Sequence, residues 1–404
     1  MNRLIAIAIL LFNFSFFSNS QTPSQWRGEN SSGIYKVDKL LPQWPAAGPQ
    51  ISWSFNQLGQ GFTSPVFAND KIYINGMIDE QAVLFIIDIK GKLLQQFKYG
   101  KEFVESYQGV RSTPTIVGDL AYLFTGNGLL VCLDLKTGKI VWQKDCQKNM
   151  DGKNITWGYT ESIVVDGDKL FCTPGGKTNN IVALNRMTGA TIWSSAALGE
   201  LSAYCTPLLI KLAARELLVT HTADHVVGVD AANGKLLWSF KHPNQYSVHP
   251  NTPLYSEGKI FVFSGYGQGA EMLKLSADGS SVTKDWDAKS FDSRIGGAVL
   301  LNGFIYGSGD NDRSWQCLDW KTGERKYSST EMGKGVVIAA NNMLIGYSEK
   351  GELFLADANP SGLKVISKTK VAMGTEQHWA HPVIDKGILY VRHGNTLIAY
   401  KISE

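Results

Sequence analysis

The 404-residue chain contains only 7 His, so a His lying near an Arg, a Tyr or an acidic residue is a candidate for chemistry. Groupings at the strand entrances are His249 with Asn251, Asp292 with Arg294, and Glu376 with His378, Trp379 and His381. Others without His are Tyr107 with Arg111, Trp157 with Tyr159 and Glu161, and the single residues Tyr204 and Lys334. One reaction these residue types could run is β-elimination beside a uronate. It needs a cation on the carboxylate (Arg111 or Arg294), a base (His249 or His378) and an acid (Tyr159 or Tyr204). The same types could also bind without turnover, with Tyr and Trp stacking on sugar rings or peptide side chains while Arg111, Arg294 and Lys334 hold carboxylates. The catalytic candidates are therefore His249, His378, Tyr204 and Arg294. The ligand-binding candidates are Arg111, Trp157, Tyr159, Glu161, Asn251, Lys334, Trp379 and His381. His221 and His225 flank a hairpin turn, where pairing would bring two imidazoles together beside Asp224; ordinary turn polarity is the simpler reading.

What must position these residues is a repeat. Asp134-Leu-Lys-Thr-Gly138-Lys-Ile-Val-Trp142 returns as Asn185-Arg-Met-Thr-Gly189-Ala-Thr-Ile-Trp193 and Asp230-Ala-Ala-Asn-Gly234-Lys-Leu-Leu-Trp238. Weaker copies end at Gly91, Gly279, Gly323 and Gly362. Periods in the forties, filled with short apolar alternations and Gly/Asp turns, predict an all-β propeller with one four-stranded antiparallel blade per repeat. In each blade, strands A to D run from the axis to the rim. The A strands are expected near Thr63, Ser112, Glu161, Cys205, Asn251, Gly296, Gly335 and Ala380, giving eight blades. The last blade lacks an outer strand, and Ile51-Ser-Trp-Ser-Phe55 lacks a partner, so that segment should close the ring. Tight A–B and C–D turns should occupy one face and longer B–C and D–A loops the other. The candidate residues fall at the D–A entrances, so a ring gathers them near the axis.

Composition agrees. Lys+Arg 39 against Asp+Glu 36 gives a net charge of +3, too small for a strongly electrostatic nucleic-acid binder. A hydrophobic fraction of 44% excludes disorder. Residues 1–20 read as a signal peptide, with Arg3, an apolar run from Leu4 to Phe17 and small residues before a cut after Ser20. A periplasmic or secreted location, a segment at 21–50 and a propeller at 51–404 follow as expectations. The 5 Cys are widely spaced and sit in apolar strands, as small buried hydrophobes do.

The Asp-x-x-Thr-Gly-x-x-x-Trp phrase resembles the PQQ-like, or quinoprotein alcohol dehydrogenase-like, eight-bladed propellers. Gln25-Trp-Arg-Gly-Glu-Asn-Ser-Ser-Gly33, with Leu41-Pro-Gln-Trp-Pro45, is similar to the opening of secreted bacterial members. Dehydrogenases of that family bind PQQ and calcium over the axis and carry an adjacent Cys pair, which this chain lacks. By that resemblance Glu161 and Asn251 would hold calcium, with Asp292 as base. Another branch is a lipoprotein subunit of the outer-membrane β-barrel assembly machinery, lipidated on a Cys that is absent here. The function expected first is a monomeric binding or scaffold module for a carbohydrate or protein, acting through the loop-rich face. An enzyme on acidic polysaccharide, such as a lyase, comes second, and a PQQ/Ca-dependent dehydrogenase third. No cofactor, nucleic acid or membrane-spanning segment of the mature chain is expected.

Overall fold

A computed structural model describes residues 22–404, so the expected signal peptide lies outside the described residues. Eight sheets surround an axis, and all but one are four-stranded. Blade one comprises Val66–Ala68, Lys71–Ile78, Gln81–Asp88 and Leu93–Lys101. Blade eight comprises Val383–Asp385, Ile388–His393 and Thr396–Lys401, with Gln50–Phe55 as its outer strand. Ile51 lies opposite Tyr400 and Phe55 opposite Leu397, so the expected closure holds.

The recurring phrase encodes how one blade grips the next. Asp134 Oδ1 accepts the N–H groups of Lys136 and Thr137 at 2.9 and 2.7 Å. Gly138 then takes φ 69°, a conformation strained for any side chain. The strand-D Trp bonds across to the following blade's turn: Trp142 Nε1 donates to Arg186 O at 2.9 Å and Trp193 Nε1 to Ala231 O at 3.1 Å. Trp53, on the N-terminal strand, donates to Ile89 O of blade one at 2.9 Å, which completes the circuit. The apolar cores accordingly lie between blades; one joins Tyr122, Phe124 and Leu130 of blade two to Ile163, Leu170 and Leu184 of blade three.

In strand C of blade four, a Cβ on Gly228 would sit 2.1 Å from the Trp238 ring. Gly228→Ala should therefore displace that ring and cost about 1–3 kcal/mol. The check is equilibrium unfolding, and an unchanged midpoint would contradict the packing described here.

The segment before the first blade does something the sequence reading did not foresee. Ser24 bridges Ile116 in antiparallel fashion, and Ile34–Tyr35 runs parallel to Gly335–Ala340. Both partners are innermost strands, so residues 24–35 form a hairpin lodged in the central channel. Both of its arms enter from the tight-turn face, and Trp26 and Arg27 lie toward the loop-rich face. Arg27, 3% exposed, has no carboxylate partner within salt-bridge distance among the described residues. Instead its N–H groups reach Ser31 O, Ser32 O, Val337 O (3.0 Å), Ala298 O (2.8 Å) and His381 Nδ1 (2.7 Å).

Candidate functional site

Across the opposite mouth of the channel, the D–A loops form a cup of about 240 Å³. Its wall has two aromatic banks. Phe62 and Tyr107 each pack at a tilt against Trp379, with centroids 5.1 and 5.0 Å from it. Trp157 packs on Tyr204 at 6.1 Å, while Tyr266 packs on Tyr246 at 4.7 Å. Val248, Pro250 and Ile295 add apolar surface, and Arg111 and Arg294 also line the wall. Trp26 and His381 lie in the throat below, so the channel hairpin provides the floor.

The positions beneath the cup form a collar that hands hydrogen bonds from blade to blade. Ser64 N donates to Thr113 Oγ1 at 3.0 Å, Thr113 N to Ser162 Oγ at 3.1 Å and Ser162 N to Thr206 Oγ1 at 2.9 Å. Several residues expected to act on a ligand serve this collar or the cores between blades. Glu161, 1% exposed, accepts from Thr173 N at 2.8 Å and from Thr173 Oγ1; burial pushes its carboxyl up to about 7. Asn251 donates to Ser293 O at 2.7 Å and reaches only the throat. The Tyr159 hydroxyl is taken by Pro174 O at 2.7 Å.

The His candidates lie outside the cup wall. His249 stacks on His221 at 5.0 Å and contacts Ala223 O at 3.1 Å; burial, then the neighbouring His242, lowers its imidazole to about 3. His378 stacks on His393 at 3.7 Å and bonds the Tyr347 hydroxyl, with its imidazole lowered to about 4, mainly by burial. His381 accepts from Arg27 through Nδ1, which leaves Nε2 to donate to Ile295 O at 3.2 Å. His221 and His225 do not come together. His221 lies opposite Val226, and the two-residue period of a strand turns the adjacent His225 to the other sheet face. There His225 meets Glu200 at 2.7 Å.

Of the named candidates, the ring therefore brings Arg111, Trp157, Tyr204, Arg294 and Trp379 together in the cup wall. Lys334 lies beside it in a charge-balanced group: Arg294 is 3.5 Å from Asp310 and 3.3 Å from Glu349, and Lys334 contacts Asp310 and lies 3.5 Å from Glu349. Asp292 accepts the Asp310 N–H at 2.9 Å rather than facing the cup. Glu376 is exposed and receives the Gln60 amide at 3.4 Å. Phe62, Tyr266 and the Trp26 floor were missed. Tyr266 stands in Gly265-Tyr-Gly-Gln-Gly269, a hairpin whose aromatic was the available signal.

The family described as outer membrane protein assembly factor BamB matches residues 81–329, more than half of the chain. The chain belongs to the BamB family. An uncharacterized protein of Rickettsia conorii is 24% identical over 281 residues, 66% of this chain and 61% of its own length. This chain thus spans about three fifths of that relative. The crystal structure of BamB from Moraxella catarrhalis superposes with a TM-score of 0.62 at 14% identity, covering 87% of this chain and 99% of that one. A europium-containing methanol dehydrogenase gives 0.66 at 12% identity, covering 92% and 90%. At these identities the BamB and dehydrogenase structures share the fold with this chain. Among the described residues, no cluster of three His, Cys, Asp or Glu is arranged to hold a metal, and no helix is long and apolar enough to cross a membrane.

Proposed function

We propose that this chain is a protein-binding scaffold of the exported compartment, holding a segment of a partner protein in the aromatic cup. The cup itself carries this reading, with two facing aromatic banks above a floor closed by Trp26. Its volume of about 240 Å³ falls below the ~300–1,000 Å³ usual for small-molecule sites and suits an inserted side chain. Tyr107 and Tyr246, each 51% exposed, extend the aromatic surface outward. Aromatic anchors in a desolvated centre dominate protein interfaces. Family membership supports the same reading, since the family's description is that of an assembly factor. A lyase would need its base in the cup, and His249 and His378 both lie outside the wall.

The test places a photo-crosslinking amino acid at Tyr107 or Tyr246, with Leu94 on the outer rim as control. Protein adducts are expected from the two cup positions and not from Leu94. Trp379→Ala should weaken partner binding at least tenfold, as loss of a central aromatic anchor does. Adducts from the rim alone, or unchanged affinity in Trp379→Ala, would refute the assignment.

A further inference from the structure

We propose that the cup selects a partner segment in which an apolar side chain stands beside a carboxylate, and that Arg111 is the residue that reads the charge. This rests on the cup being the binding site. The electrostatics of the wall are lopsided. On the blade-six side, Arg294 and Lys334 are matched by Asp310 and Glu349, so that side is neutral as a unit. On the blade-two side, Arg111 has no carboxylate within salt-bridge distance among the described residues. Its guanidinium donates to Gly109 O at 3.0 Å, Ser106 O at 2.7 Å and Tyr107 O at 2.7 Å. It also packs 5.2 Å from the Phe103 ring centroid. These contacts hold the group in place, while its remaining donors have no partner among the described residues. Glu102 attracts Arg111 electrostatically but makes no ion pair with it, and it is buried, at 2% exposed. Its Oε1 takes the N–H groups of Phe103 and Gly126 at 2.8 and 2.6 Å, and burial pushes it up to about 7.

Arg111 lines both the cup and its throat, in the same cavity as the Phe62–Trp379–Tyr107 bank. A side chain stacked on that bank therefore carries its neighbouring residue toward a fixed, half-buried cation. A carboxylate there gains a charge-assisted hydrogen bond, a neutral amide gains less, and an ammonium is repelled.

The probes are three capped tetrapeptides, Gly-Phe-X-Gly with X as Asp, Asn or Lys, titrated against the intact protein by quenching of tryptophan fluorescence. The Asp peptide should bind about fivefold more tightly than the Asn peptide and about tenfold more tightly than the Lys peptide, as expected for a half-buried charge pair. Arg111→Gln should shrink the Asp-to-Asn ratio below about twofold while leaving the Asn peptide's own affinity within about twofold, which shows that the loop still folds; Arg111→Lys keeps the charge but not the planar fork and should fall between the two. Equal binding of the Asp and Asn peptides, or a preference that survives Arg111→Gln, would overturn the charge inference and leave the cup reading standing. No saturable quenching by any of the three peptides would count against the cup reading itself.

Discussion

Arg27→Met should lower stability by about 3–5 kcal/mol, because several buried acceptors lose their donor at once. In thermal unfolding this amounts to a fall of roughly 4–6 °C for a chain of this size. Every N–H of the guanidinium is engaged, by four carbonyls and the His381 ring. Those acceptors come from the hairpin itself and from blades six, seven and eight. Methionine keeps the apolar stem but leaves buried carbonyls without donors, at about 1–3 kcal/mol for each group left unpaired. The charge is costly to bury, and burial lowers the Arg27 guanidinium to about 10. Geometry is what repays that cost, so Arg27→Lys should recover less than half of the loss, because one ammonium cannot match a planar fork. The same variant should loosen Trp26 beneath the cup, giving a red-shifted tryptophan emission at temperatures where the blades remain folded. A midpoint within 1 °C of wild type would show that the channel hairpin is dispensable.

Acid should destabilise the protein from about pH 6.5 downward, well before its carboxylates would ordinarily protonate. His221, His249 and His381 are buried neutral. Burial is the main cause in each, joined by His249 and His242 around His221, by His242 beside His249, and by Arg27 beside His381. Their folded pKa values lie below the unfolded value. Their contribution is therefore full above about pH 6.5 and is lost as pH falls toward the folded values. Each group contributes about 1.4 kcal/mol per pH unit in that window.

Glu102 and Glu161 act in the opposite sense. Both are raised to about 7 by burial, so each favours the fold below about pH 4.5 and loses that contribution as pH rises through 7. His378, lowered to about 4 mainly by burial, adds a fourth His against the two Glu, leaving a net loss on acidification of about 2–3 kcal/mol per pH unit between about pH 6.5 and 4.5. Glu161→Gln should raise stability at pH 8 by on the order of 3 kcal/mol and steepen the acid loss. His221→Leu should flatten it, because both His221 ring nitrogens are buried without partners. Unfolding midpoints at pH 8, 6.5, 5.5 and 4.5 check all three; a profile unchanged by Glu161→Gln would disprove the assignment of that carboxyl.

Periodicity alone specified eight sectors of four strands, the turn-to-turn steps, the tight and loose faces and the ring closure by Ile51–Phe55. Those features follow from local chemistry repeated along the chain: an Asp or Asn that caps its own turn, a Gly that accepts positive φ, and a Trp four residues on. The direction in which each entrance side chain points is not periodic. Glu161, Asn251 and His381 stand at equivalent positions to cup residues, yet one locks onto Thr173, one onto Ser293 O and one onto Arg27. Their partners lie 12, 42 and 354 residues away, each on another segment of the fold, so the local pattern does not reveal them. Trp26 and Arg27 were visible as a motif but had no address, because what surrounds them is assembled from three distant blades. Tertiary structure alone decided that the channel is filled, that the filling makes the floor of a cup, and that the histidines stay outside it. The reason is that burial and hydrogen-bond satisfaction are settled between blades, after each blade's own pattern has been spent on making it a blade.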